Sequence, residues 1–160
     1  MNAPPVSITQ VRHESDIAVM KDLFVEYAAS IGIDLEYQGF SAELAGLPGK
    51  YAPPTGELLL ASVNGEPGGC VALRALDQAT LEMKRLYVRP ATRGIGLGKR
   101  LVEAAISFAR QHGYAELRLD TLATMDSARA LYRSLGFVEI PPYGAAHVPG
   151  TCFYGLSLTG

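Results

Sequence analysis

The chain contains no tryptophan, only two cysteines and only three histidines among its 160 residues. Cys70 and Cys152 stand far apart, and no second cysteine sits at ligand spacing from either, which argues against a disulfide framework and a zinc site. No charge of one sign dominates: 14 Lys and Arg stand against 16 Asp and Glu, a formal net charge of −2. There is no basic field to hold nucleic acid, and a small neutral or cationic partner fits better than a polyanion. No apolar run reaches the ~20 residues that cross a bilayer, and the opening MNAPPVSITQVR lacks the charged start and apolar core of a secretory leader. The expectation is a cytoplasmic protein without membrane, nucleic acid or metal among its partners, and with both cysteines reduced and buried.

What is present is enough apolar material for one core. At 48% hydrophobic content, the chain reads as a single domain over 1–160 and is too short for two ordinary ones. PVSITQVR alternates as a strand. From Asp16, the residues Ile17, Met20, Leu23, Phe24, Tyr27, Ala28 and Ile31 recur at three and four, as in an amphipathic helix that Gly32 ends. The stretch from Asp34 to Pro54 is irregular apart from a weak helical piece near Ser41 to Leu47, and irregular segments of that length are often functional. Two strands flank an Asn64-Gly65 turn, whose residues tolerate the positive φ of a hairpin. TLEMKRLYV follows as a strand stopped by Pro90, then a helix with Leu97, Leu101, Ala104, Ala105 and Phe108 on one face. After the strand AELRLDTL, Asp126 or Ser127 is placed to cap a second helix, with Ala128, Leu131, Tyr132 and Leu135 facing inward. FVEI and TCFYGLSL complete a mixed sheet.

Gly94, Gly96 and Gly98 interrupt the connection between the proline-stopped strand and the next helix. Amides at a helix start have no partner inside the helix and carry partial positive charge, so a bare backbone there suits a phosphate or pyrophosphate. Two familiar phosphate loops fail on spacing. G-x-G-x-x-G meets Lys99 where its third glycine belongs, and the P-loop pattern finds Arg93 and Arg100 at its first and last positions. The stretch does match R/Q-x-x-G-x-G/A, as Arg93-Gly94-Ile95-Gly96-Leu97-Gly98. One strand downstream, SARALYRSLGF (Ser127 to Phe137) matches A-x-x-L-Y-x-x-x-G-F. Together, in this order, the two segments resemble the GCN5-related N-acetyltransferase (GNAT) family, with the likeness running from about Thr55 to the C terminus.

The resemblance implies an α/β (α+β) fold: a mixed, mostly antiparallel sheet of about six to seven strands, flanked by helices and splayed between the fourth and fifth. It implies an enzyme that moves an acetyl group from acetyl-CoA to a primary amine by direct attack in a ternary complex. A non-catalytic acyl-CoA sensor is the competing reading, disfavoured by the retention of Tyr132. Pantetheine is expected to pair with the backbone of Leu86, Tyr87 and Val88, and the pyrophosphate to meet the amides from Arg93 through Gly94, Ile95, Gly96, Leu97 and Gly98 to Lys99. The Arg93 side chain has a plainer alternative, satisfying a carbonyl.

Glu82 falls where one branch of the family carries its general base. Alternation puts it on the side of Lys84, Leu86 and Val88 unless a bulge intervenes, and an ion pair with Lys84 or Arg85 is its plain alternative. Asp120 is the next candidate. Tyr132 resembles the family's proton donor to the sulfur, although helical spacing alone makes it a core residue. Met125 stands where many relatives carry Asn, so a polar contact to the pantetheine or the helix start is expected to be missing. His112, beside Gly113, suits a helix cap. The amine is expected between the Asp34 to Pro54 segment and the loop PPYGAAHVPGT. Asp34, Glu36 and Glu43 would favour a small cationic acceptor, with solvated surface charges as the plain alternative, and a homodimer is compatible with all of this.

Overall fold

The structure, a computed structural model, describes residues 4–144 and 147–159. Its strands are β1 (Val6–Gln10), β2 (Glu57–Val63), β3 (Glu66–Ala75), β4 (Thr80–Val88), β5 (Glu116–Leu122), β6 (Val138–Glu139) and β7 (Thr151–Ser157). The α-helices are α1 (Glu14–Ile31), α2 (Phe40–Ala45), α3 (Leu97–Gln111) and α4 (Asp126–Ser134). The seven strands form one sheet in the order β1-β2-β3-β4-β5-β7-β6. Every neighbouring pair is antiparallel except β4 with β5. Asn64 (φ 52°) and Gly65 (φ 81°) make the β2–β3 hairpin as the sequence predicts.

β4 and β5 pair only over Thr80–Glu82 against Glu116–Arg118, although β4 runs on to Val88 and β5 to Leu122. Past Glu82 the strands have parted, so the expected splay lies between the fourth and fifth strands. A second irregularity sits on the other edge of β4. Cys70 faces Tyr87 but Ala72 faces Lys84, so β4 carries one more residue than β3 across that interval. Arg85, at φ 61°, lies within it, in a region L residues seldom occupy.

That bulge resets the alternation. Leu86 and Val88 pack with Leu81, Met83 and the α3 residues Leu101, Val102 and Ala105, forming the core on one face. Tyr87 joins Cys70, Ala72 and the α1 residues Met20, Leu23 and Phe24 on the other. Glu82 and Lys84 lie opposite Arg74 and Ala72 and so share the α1 face. The sequence expectation that Glu82 lines up with Leu86 and Val88 is therefore corrected by the extra residue.

Local signals place the helix ends. Glu14 and Asp16 occupy the first turn of α1, where negative charge complements the helix dipole, and Gly32 (φ 68°) ends it. His112 ends α3, its Nδ1 3.0 Å from the Phe108 carbonyl and its ring stacked on Phe108. At α4 the cap is Met125, neither Asp126 nor Ser127, and no side chain bonds the first amides. The Asp34 to Pro54 segment folds as α2 between two short 3-10 turns, Leu35–Gln38 and Gly49–Tyr51. Cys70 is buried as expected, whereas Cys152 is only half-buried, and both are free. Among the described residues no helix is long and apolar enough to cross a membrane.

Candidate active site

The parting of β4 from β5 opens a cleft of about 530 Å³ whose wall includes Leu86, Tyr87, Val88, Arg93, Gly98 and the loop and first turn of α4 from Thr124 to Ala128. Its chemistry suits a pantetheine pyrophosphate. The β4 edge is unpaired with β5 beyond Glu82. Among the described residues, no backbone acceptor takes the amides from Gly94 to Lys99. A Cβ on Gly98 would stand 3.7 Å from the side chains of both Leu131 and Val88, filling the cradle.

The three glycines thus divide the work. Gly94 (φ 87°) and Gly96 (φ 77°) supply the turn, and Gly98 supplies the space. Leu97 is a core residue and can offer a ligand only its backbone, whereas Ile95 is exposed. The Arg93 guanidinium donates to the Val88 carbonyl at 3.2 Å, the plainer of its two expected roles.

From this cleft the site continues inward. A cavity of about 50 Å³ between the parted strands shares Tyr27, Leu86, Met125 and Ala128 with the cleft and adds Lys84, Arg85, Asp120 and Tyr132. Beyond it a further cavity of about 30 Å³ reaches beneath the Leu35–Gln38 turn and shares Tyr27, Asp120, Thr121 and Met125. Tyr27 and Met125 line all three spaces. The methionine in place of the family's asparagine therefore belongs to the wall of the whole path. Its helix start does lack the polar contact, as the sequence led one to expect.

Tyr132 is a core residue that also borders the site. Its ring packs among Phe137 and Tyr154 in the core, yet the residue also lines the central cavity. Burial raises its pKa, keeping the phenol protonated.

The two candidate bases differ sharply. Glu82 accepts from Arg74 Nε at 2.8 Å and from the Tyr143 hydroxyl at 2.7 Å, with Lys84 Nζ at 3.9 Å. Burial works to raise its pKa, but Lys84, Arg74 and Tyr143 outweigh that and hold it below the usual glutamate range. Asp120 lines both inner cavities, and no hydrogen bond or ion pair to its carboxylate is found among the described residues. Burial raises its pKa, reinforced by Glu82 and only partly offset by Lys84 and Arg85. Of two carboxylates, the one whose pKa is raised is the stronger base.

The loops expected to wall the amine do approach the site. The loop after β6 sends Tyr143 to Glu82, and its residues 145 and 146 lie outside the described residues. The three acids of the other segment are engaged within the protein instead of facing an acceptor. Asp34 caps the turn through the Glu36 amide at 2.9 Å, Glu36 accepts from Ser41, and Glu43 pairs with Arg85 and Lys50. Arg85 is the least legible member of the site. Its side chain is 2% exposed, it grips Glu43 through Nε and Nη2, and it lies over the rings of Phe40 and Tyr27. Nothing in TLEMKRLYV distinguishes it from a surface arginine. Arg74 and Tyr27 were likewise invisible as site residues, and Tyr143 was visible only as part of the loop expected to wall the amine.

The acetyltransferase (GNAT) family model matches residues 17–137, most of the chain. The chain belongs to the GNAT family of acetyltransferases. An uncharacterized N-acetyltransferase of Schizosaccharomyces pombe is 38% identical over 161 aligned positions, covering 99% of each chain. Among solved structures, a GNAT acetyltransferase of Staphylococcus aureus superposes with a TM-score of 0.79 at 23% identity, covering 97% of this chain and 100% of its own. A Salmonella typhimurium acetyltransferase solved with acetyl-CoA gives 0.65 at 22% identity, covering 96% of this chain and 94% of its own. The fold is thus shared by proteins of quite different sequence.

Proposed function

We propose that this GNAT acetyltransferase uses acetyl-CoA as donor and a primary amine as acceptor, with both bound at once. The observation that carries the reading is the continuity of the site. A cleft of backbone amides and free strand edge leads directly to a cavity holding an unpaired carboxylate, Asp120, and a buried phenol, Tyr132. The Salmonella relative's bound acetyl-CoA supports the choice of donor.

The β4 edge at Leu86 to Val88 and the amides from Gly94 to Lys99 hold the donor, whose thioester supplies an activated acyl carbon; the Arg93 amide, expected among them, is taken by the Pro90 carbonyl. Asp120 accepts a proton from the amine, directly or through water, as the nitrogen bonds to that carbon. The carbon–sulfur bond breaks, and Tyr132 gives its proton to the departing thiolate, to be reprotonated from solvent. Lys84 and Arg85 add positive charge around the cavity and favour the neutral, nucleophilic form of the amine. Glu82, held by Arg74 and Tyr143, orders the cations beside Asp120.

Thermal unfolding with acetyl-CoA tests the donor site. A hundredfold excess over Kd should raise Tm by about 5–10 °C. Gly98→Val, at a position without positive φ, should keep the fold and lose the shift. A full shift in the folded variant would refute the cradle. Initial rates with both substrates varied should give intersecting lines, and parallel lines would refute the ternary complex.

A further inference from the structure

The central cavity between the parted strands already holds a primary amine, that of Lys84. This residue lies on the same face of β4 as Glu82 and lines the space with Asp120 and Tyr132. Its side chain is 11% exposed, and among the described residues its one charged acceptor is Glu82, 3.9 Å from Nζ and too far for a hydrogen bond. Among those residues the fully enclosed side-chain atoms without a hydrogen bond are Gln38 Oε1 and the Tyr51 hydroxyl oxygen, so Lys84 Nζ borders open space. Its charge is also the strongest of those acting on the Asp120 carboxylate, ahead of Glu82 and Arg85, which puts the ammonium within reach of the cavity. The neighbouring Arg85 is engaged by Glu43, and its guanidinium stays charged.

Resting on the acetyl-transfer reading above, we propose that Lys84 is itself an acetyl acceptor, modified by the acetyl-CoA bound to its own chain when no other amine fills the cavity. An amine fixed beside a bound thioester needs no second encounter. The Lys84 nitrogen, freed of one proton by Asp120, bonds to the acyl carbon, and the carbon–sulfur bond breaks. The nitrogen then sheds a second proton, which makes good the one that Tyr132 gives to the thiolate. The products are Nε-acetyl-Lys84, the free thiol and one proton, which leaves through Asp120. The modification then limits the enzyme. It removes the positive charge that most restrains the Asp120 pKa and puts an acyl group into a cavity of about 50 Å³. Self-acetylation is thus a brake set by acetyl-CoA in excess of acceptor.

Folded protein incubated with excess acetyl-CoA and no added amine should gain the mass of one acetyl group per chain, and peptide mapping should place it on Lys84. Uncatalysed acetylation would favour the exposed Lys99 instead, and protein unfolded in urea should lose the preference for Lys84. The fraction modified per unit time should not change with protein concentration. Lys84→Arg keeps the charge and should gain no acetyl group, and Asp120→Asn should slow the gain by about a hundredfold. If either variant does not fold, the position and kinetics of labelling in the native sequence decide. The proposal is overturned if the acetyl group is found on Lys21, Lys50, Lys99 or the N terminus and not on Lys84, or if no mass is gained although acetyl-CoA raises Tm. It is equally overturned if the rate rises with protein concentration, if Lys84→Arg gains as much as the native sequence, or if Asp120→Asn leaves the rate unchanged. With the thermal shift present, each of these outcomes leaves acetyl-CoA in place as the donor. Absence of that shift in the native sequence would instead remove the acetyl-transfer reading, and this inference with it.

Discussion

On the α3 side of the parting between β4 and β5 the site is made of backbone and apolar surface: the bare helix start, the free strand edge, and Leu131 and Val88 around Gly98. On the α1 side it is made of charge: Glu43 against Arg85 and Lys50, Glu82 against Arg74, and Asp120 left unpaired among them. The first half is drawn from neighbouring stretches of chain and holds by shape. The second depends on packing between elements: Arg85 reaches Glu43 across 42 positions, although Lys50 and Arg74 lie close in the chain to Glu43 and Glu82. A donor common to many reactions calls for the first kind of construction, and a particular acceptor calls for the second. Substitutions that disturb the two halves should therefore fail differently, in donor binding for one and in the chemistry or stability for the other.

The largest effect is expected at Asp120. Asp120→Asn should lower turnover at neutral pH by about a thousandfold, with partial recovery at high pH where the free amine is abundant. Because burial raises the Asp120 pKa, the acid limb of kcat/KM in the unmodified enzyme should lie above the ordinary aspartate range, and the variant should lose that limb. Glu82→Gln should cost less. The reverse ranking would return the base to Glu82.

Next comes the buried pair. Glu43→Gln removes one partner from an ion pair whose side chains are 6% and 2% exposed, and should destabilise the fold by about 3 kcal/mol in denaturant titration. Burial works to raise the Glu43 pKa, but Arg85 and Lys50 outweigh it and leave the group depressed. The stability it contributes is present above the unfolded glutamate pKa and lost as pH falls through the folded one. The variant should show a shallower acid decline, and an unchanged one would take the pair out of the stability account.

Tyr132→Phe keeps the ring between Phe137 and Tyr154 and removes only the hydroxyl. Turnover should drop by about a hundredfold while Tm and the acetyl-CoA shift are retained, and thioesters with better leaving groups should suffer less. Normal turnover would mean that another group protonates the sulfur.

The smallest effect is expected where the two halves meet. Met125→Asn would supply the missing cap of α4 and add about 1 kcal/mol, seen as a Tm rise of about 2–4 °C. No rise would show that the open helix start already has solvent partners of equal worth.

The donor half was legible because its signals are short-range. Helix periodicity, the Asn64-Gly65 turn, the glycine spacing and the segment around Tyr132 each sit within a few residues of one another, where backbone sterics and unpaired helix amides leave few alternatives. The acceptor half was not. One extra residue at the β4 bulge moved Glu82 to the other face, and periodicity carries no mark of an insertion whose partner strand is elsewhere in the chain. Asp34, Glu36 and Glu43 read as free charges because nothing in the sequence reveals that Arg85 comes to Glu43 from β4, or that Ser41 and Lys50 turn toward Glu36 and Glu43.

The sequence by itself determined the elements, their order, the glycine cradle and the position of Tyr132, since these follow from local dihedral preferences and the patterns that bury one face of each element. Only the tertiary structure decided which carboxylate stands unpaired. Arg85 reaches Glu43 across 42 positions and Tyr143 reaches Glu82 across 61, and a charge's pKa depends on what the folded sheet places beside it.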